Sequence, residues 1–202
     1  MPVLDNPVTL DPSLAAAVLD EGWIRAVLFD HAIDDWVDLG PDPFRRRHAG
    51  QIYADHVGAA YAAWKWRCDR AGTDVDSPPV GPVAAWALAL EVGVTNWSEL
   101  MAALLAVGRA QALLFAELAA GGEAARRAFD RVGRDCSGHA ALAFLEIRRG
   151  DFVDRTVVEA ALARMLPATA ELVAGTGVEA AWRNRLGPLL EALELKAFSF
   201  GR

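Results

Sequence analysis

Residues 96–150, NWSELMAALLAVGRAQALLFAELAAGGEAARRAFDRVGRDCSGHAALAFLEIRRG, settle the fold class. Asn96 followed three residues later by Glu99 is a capping-box pattern that opens a helix. Behind it Leu100, Leu104, Val107, Leu114 and Leu118 recur at helical spacing. Gly121 and Gly122 end that run, and a second helix spans about Glu123 to Arg149 before Gly150 stops it. Phe129, Val132, Cys136, His139 and Ala143 share one face of this second helix. The segment from Trp97 to Ala120 is the most apolar of the chain, yet Glu99, Arg109, Gln111 and Glu117 interrupt it. So many polar groups do not suit a helix facing lipid and predict a buried core helix, not a membrane span.

The same signals continue outward. Toward the N-terminus, LDPSLAAAVLDEGWIRAVLFDHAIDDW (10–36) offers Asp11 as a cap and Pro12 in the first turn, predicting a helix to about Trp36 with Leu14, Val18, Leu28 and His31 on its inner stripe. Asp42 and Pro43 repeat the device for a helix through Ile52, Ala59 and Ala63 that ends at Gly72. Prolines and a glycine make 73–82 a linker loop, and PVAAWALALEVG (82–93) reads as a short helix. Toward the C-terminus, Thr156 with Glu159 is a second capping box for a helix to about Ala174, and Pro188 is expected to kink the final helix from Val178 or interrupt its hydrogen-bond ladder. No segment shows sustained strand alternation, so the expectation is an all-α bundle of four long helices plus shorter C-terminal helices, in one domain over 1–202.

Composition narrows the partners. The chain has 202 residues, 53% of them hydrophobic, which is enough for one sizeable core. A formal charge of −7 repels phosphate backbones, and Arg45, Arg46 and Arg47 read as a solvated helix start, so nucleic acid is not an expected partner. Cys68 and Cys136 form no paired motif, and the opening MPVLDNPVTLDPSL has no basic region followed by an apolar stretch, so a reduced cytoplasm is expected.

Helical bundles place cofactors between facing helices, and the polar residues that the pattern turns inward are few. They are His31 with Asp34 and Asp35, then Asp55 and His56, then Gln111 and Glu117, then Asp135 and His139, with His48 a further histidine of the second helix. A carboxylate-bridged di-iron centre needs about six ligands, including a Glu-x-x-His from each of two helices. The chain contains no Glu-x-x-His; the residue three after Asp135 is Gly138, and the residue three after Asp55 is Gly58. No metal or other cofactor is therefore expected. Asp55, His56, Asp135 and His139 remain the candidate catalytic residues, as acid/base or substrate-contacting groups, because a carboxylate orients a nearby imidazole and raises its basicity. The alternative is that His139 bonds a neighbouring helix and Asp135 answers an arginine such as Arg109 or Arg134. Cys136 is a nucleophile only if a base activates it, and otherwise a small apolar group. The seven tryptophans, Trp64, Trp66, Trp86 and Trp97 among them, either pack the core or line a pocket for a small-molecule ligand.

The stretch from Leu88 to Asp151 resembles the C subunit of bacterial phenylacetyl-CoA epoxidase, a ferritin-like family, with Asn96 starting an apolar helix and Asp135 four residues before His139. HAIDDWVDLGPDPFRRRHAGQIYADHVGAAY (31–61) is similar to that family's first helix pair, with Asp55 in a matching acidic position, and VEAAWRNRLGPLLEALEL (178–195) to its C-terminal helix. The resemblance implies a ferritin-like bundle whose relatives include a di-iron catalytic subunit and a metal-free structural subunit. The missing Glu-x-x-His places this chain with the metal-free kind. The expected role is a structural or partner subunit, as a homodimer or as a heteromer with a ferritin-like subunit. The alternative is a stand-alone ferritin-like enzyme, a divergent di-iron oxygenase or a metal-free acid/base catalyst, acting on a small organic or CoA-linked substrate.

Overall fold

The computed structural model describes residues 11–30, 34–79, 87 and 94–195, and among them every regular element is a helix. Helix α1 (Pro12–Val18) starts as expected, with the Asp11 carboxylate accepting from the Ser13 and Leu14 amides at 2.8 and 3.3 Å. It does not run to Trp36. Asp20 caps a new helix, α2 (Glu21–Leu28), accepting from the Trp23 amide at 2.7 Å. An aspartate that can bond a following amide competes with the helical ladder, and here it wins. Leu14, Val18, Trp23, Ile24 and Val27 are all buried, so the apolar stripe survives the break. Asp34, Asp35 and Trp36 belong to a separate 3₁₀ segment, Asp34–Leu39, while His31 lies outside the described residues.

The four long helices are therefore not the four expected. They are α3 (Pro43–Ala71), α4 (Trp97–Ala120), α5 (Glu123–Arg149) and, in place of the N-terminal one, α6 (Arg155–Val173), followed by the shorter α7 (Glu179–Ala192). Asp42 caps α3 through the Arg45 amide at 2.8 Å, and Gly72 and Gly150 end α3 and α5 at φ of 66° and 73°, the left-handed region where glycine carries no Cβ penalty. Residues 73–79 form the expected loop, pinned where Trp64 Nε1 donates to the Val75 carbonyl at 2.8 Å. The short helix expected over 82–93, with Trp86, lies outside the described residues apart from helical Ala87.

One local expectation is corrected. Asp154, not Thr156, caps α6, accepting from the Thr156 and Val157 amides at 2.8 and 3.3 Å, because a carboxylate is the stronger acceptor. Pro188 lies inside α7 without ending it, as Pro167 does in α6. Both prolines are exposed, as are Ala163 and Asn184 four residues before them, so each carbonyl that loses its partner turns toward solvent.

Helix α4 is the centre of the molecule. Leu100, Met101, Leu105, Ala106 and Leu118 are completely buried, with α1, α5, α6 and α7 packed around it. It packs most extensively on α5, and the two backbones come close at Gly133, where an added Cβ would stand 3.4 Å from the Ala116 backbone nitrogen. In its middle, Leu104–Gly108 forms a π-helical turn. The Ala106 carbonyl of that turn accepts from Trp182 Nε1 at 3.2 Å, which ties α7 to the irregularity. Helix α3 also packs on α5, and α2 and the 3₁₀ segment cover it.

Candidate functional site

The seam between α3 and α5 holds three of the four residues singled out in sequence. His139, on the inner stripe of α5, is buried, and its Nε2 lies 3.0 Å from Asp55 Oδ2 on α3. Because a carboxylate accepts, the proton of this bond sits on Nε2. The other Asp55 oxygen accepts from Gln51 Nε2 at 2.9 Å, so both oxygens of the carboxylate are engaged. His56, next to Asp55 on α3, stacks on His139 with ring centroids 6.0 Å apart and planes 17° apart. Trp36 meets the other side of His56 edge-on at 5.1 Å. His56 is 3% exposed and its Nε2 has no hydrogen-bond partner, nor does His139 Nδ1.

Asp135 does not join this group as expected. One turn away on the same helix as His139, it turns toward solvent and meets Arg131 at 3.4 Å, not His139 and not Arg109 or Arg134. The reason is competition along the helix surface: Asp135 lies four residues from both Arg131 and His139, and His139 is already committed to Asp55. His48 is also apart from the site, packed on Phe44 at 4.3 Å near the start of α3. Cys136 is buried, and burial, reinforced by the Asp135 and Asp55 carboxylates, pushes its thiol up to about 12, which leaves no thiolate to act as a nucleophile near neutral pH.

A second polar link closes the same seam one end further along. Arg45, expected to be solvated with Arg46 and Arg47, is instead buried, and its Nε and Nη2 reach both oxygens of buried Glu146 at 2.6 and 3.2 Å. Asp42 accepts from Arg45 Nη1 at 2.6 Å, and the guanidinium lies 4.0 Å from the centre of the Phe152 ring. Burial works against the charge of Arg45, but the Glu146 and Asp42 carboxylates outweigh it and hold the group above its ordinary range. Sequence reasoning passed over this pair. The signal was present, since Glu146 follows His139 and Ala143 at spacings of seven and three on the apolar stripe, and a carboxylate there needs a cation.

Burial, with a smaller contribution from His139, lowers the pKa of His56 from 6.5 to about 3, so the ring is neutral. The unfolded chain protonates His56 near 6.5 while the fold refuses the proton down to about 3. Stability from this residue is therefore complete above 6.5 and falls with pH below it, by about 1.4 kcal/mol per pH unit. Urea unfolding at pH 7 and pH 5 checks this: His56→Leu is expected to flatten the slope by about 0.7 proton averaged over that range. Equal slopes for parent and variant would refute the assignment.

No family model, curated protein or solved structure matches this chain. Among the described residues no group of three or more His, Cys, Asp and Glu side chains is placed to hold a metal ion. The two imidazoles stack in parallel instead of converging, and the one carboxylate beside them has both oxygens bonded. What the arrangement offers chemically is an imidazole oriented by a carboxylate, with its second nitrogen buried and unpaired.

Proposed function

We propose that this chain is a metal-free, ferritin-like bundle that acts as a structural or partner subunit, related to the C subunit of bacterial phenylacetyl-CoA epoxidase and working in the cytoplasm. The observation that carries this reading is the α3–α5 seam. A dinuclear centre would need converging donors between facing helices, whereas this seam uses its polar side chains to bond helix to helix, His139 to Asp55 and Glu146 to Arg45. Both are links that fix one packing of the bundle. Large apolar side chains also face solvent: Phe44 and Tyr61 on α3, Leu145 on α5 and Phe152 just beyond it. Surface of that kind suits a second copy or a ferritin-like partner.

Sedimentation equilibrium tests the reading. The expected outcome is a reversible homodimer at twice the chain mass of 21.7 kDa, or a stoichiometric complex when the chain is co-expressed with a ferritin-like catalytic subunit. A chain that stays monomeric at every concentration and forms no such complex would overturn it.

One observation favours a second reading, a stand-alone acid/base enzyme acting on a small organic or CoA-linked substrate. Asp55 orients His139 and leaves Nδ1 without a partner, as a general base requires. Turnover of an acyl-thioester that falls roughly 100-fold or more in His139→Ala, measured against unchanged far-UV dichroism, would select this reading over the first.

A further inference from the structure

We infer that the cavity where α1 and α2 meet α4 binds one water molecule, held between the Gln111 side chain and the last turn of α1. The inference is independent of the subunit reading. Gln111 is the third residue past the π turn on α4 and is buried with Leu114 and Phe115 of the same helix. It is 4% exposed, and its Oε1 is shut off from solvent with no hydrogen-bond partner. A bare amide oxygen in a core costs more than an apolar side chain of similar size, so a buried one calls for a donor.

That donor has room. Gln111 lines a cavity walled by Trp23 on α2, Phe115 on α4 and Leu172 on α6, and closed by Ala17 and Val18 of α1. About 10 Å³ of it is open to the centre of a water-sized sphere, which is what one water occupies and far below what an organic ligand needs. The last turn of α1 supplies a second partner. Leu19 bonds back to the Ala15 carbonyl, and beyond it the Ala17 and Val18 carbonyls have no amide of their own helix to accept from. Among the described residues no other donor is bonded to either. Gln111 and the end of α1 both contribute acceptors, so the occupant must donate twice. The apolar walls exclude a charged donor such as ammonium, whose desolvation nothing here offsets. An occupant that donates twice, carries no charge and fills the space of one sphere is water.

Electron density in a crystal structure of the full chain, together with NOESY and ROESY spectra of the full chain in solution, tests the site. A single water is expected at about 2.7–3.0 Å from Gln111 Oε1. The Phe115 ring protons and the Gln111 side-chain amide protons are expected to show cross-peaks to water with the sign of a molecule that tumbles with the protein. In Gln111→Leu the Phe115 cross-peak and the density are both expected to disappear, because a wholly apolar cavity stays dry. The parent alone can sink the site: a dry cavity, a protein donor on Gln111 Oε1, or a molecule larger than water in its place would each do so. So would a Phe115 cross-peak that persists unchanged in Gln111→Leu.

Discussion

Glu146→Ala is expected to destabilise the chain by about 3 kcal/mol or more, the cost of leaving a buried guanidinium without its main partner. Arg45 retains Asp42 at 2.6 Å and the face of Phe152, which keeps the loss at the lower end of the range for such deletions. For a chain of this length that corresponds to a fall in Tm of roughly 10 °C. The double variant Arg45→Met/Glu146→Leu is expected to recover most of the loss, because two apolar side chains remove the charge and its partner together. Calorimetric unfolding of the parent, the single and the double variants decides it. A single variant within about 0.5 kcal/mol of the parent would mean that water reaches the pair and that it does not fasten α3 to α5.

Trp182→Ala is expected to cost about 3–5 kcal/mol, since the indole is completely buried between α7 and α4 and leaves a cavity that the surrounding helices cannot close. Trp182→Phe separates packing from bonding. It keeps most of the apolar volume but removes the N–H that reaches the Ala106 carbonyl at 3.2 Å, and a loss of about 1–2 kcal/mol is expected. Native-state hydrogen exchange supplies the local check. The amides of Leu104–Gly108 are expected to open more readily in Trp182→Phe while those of α5 change little. Uniform change across the bundle would show that the bond does not hold the π turn in place.

The helices and most of their ends were legible in the sequence because the signals are local. Asp11, Asp42, Asn96, Gly72 and Gly150 cap or stop helices by bonds that reach only a few residues along the chain. Where two local signals compete, pattern alone failed: the stripe from Leu14 to Val27 is continuous, yet Asp20 divides it. The site was half legible. Spacing on α5 put His139 on the inner face, where it is, but offered Asp135 as its partner, since a helix pattern sees only neighbours on the same helix. The true partner, Asp55, is 84 residues away. Arg45 and Glu146 are 101 residues apart and were invisible for the same reason. Nothing in the spacing of Trp36 marked it as the wall against His56, because it belongs to a segment whose departure from the expected helix decides where the ring goes.

The π turn at Leu104–Gly108 has a consequence for how this chain tolerates insertions and deletions. A π turn accommodates one more residue than an α turn over the same rise, so the two halves of α4 are rotated about 100° relative to an unbroken helix. That offset lets the first half present its apolar face to α6 while the second half faces α1 and α7. Deleting one residue from 104–108 would restore an ordinary helix at no local cost in hydrogen bonds, yet it would swing Gln111, Leu114, Phe115 and Leu118 away from their present neighbours all at once. The backbone at this point is repairable; the phase it sets for everything downstream is not.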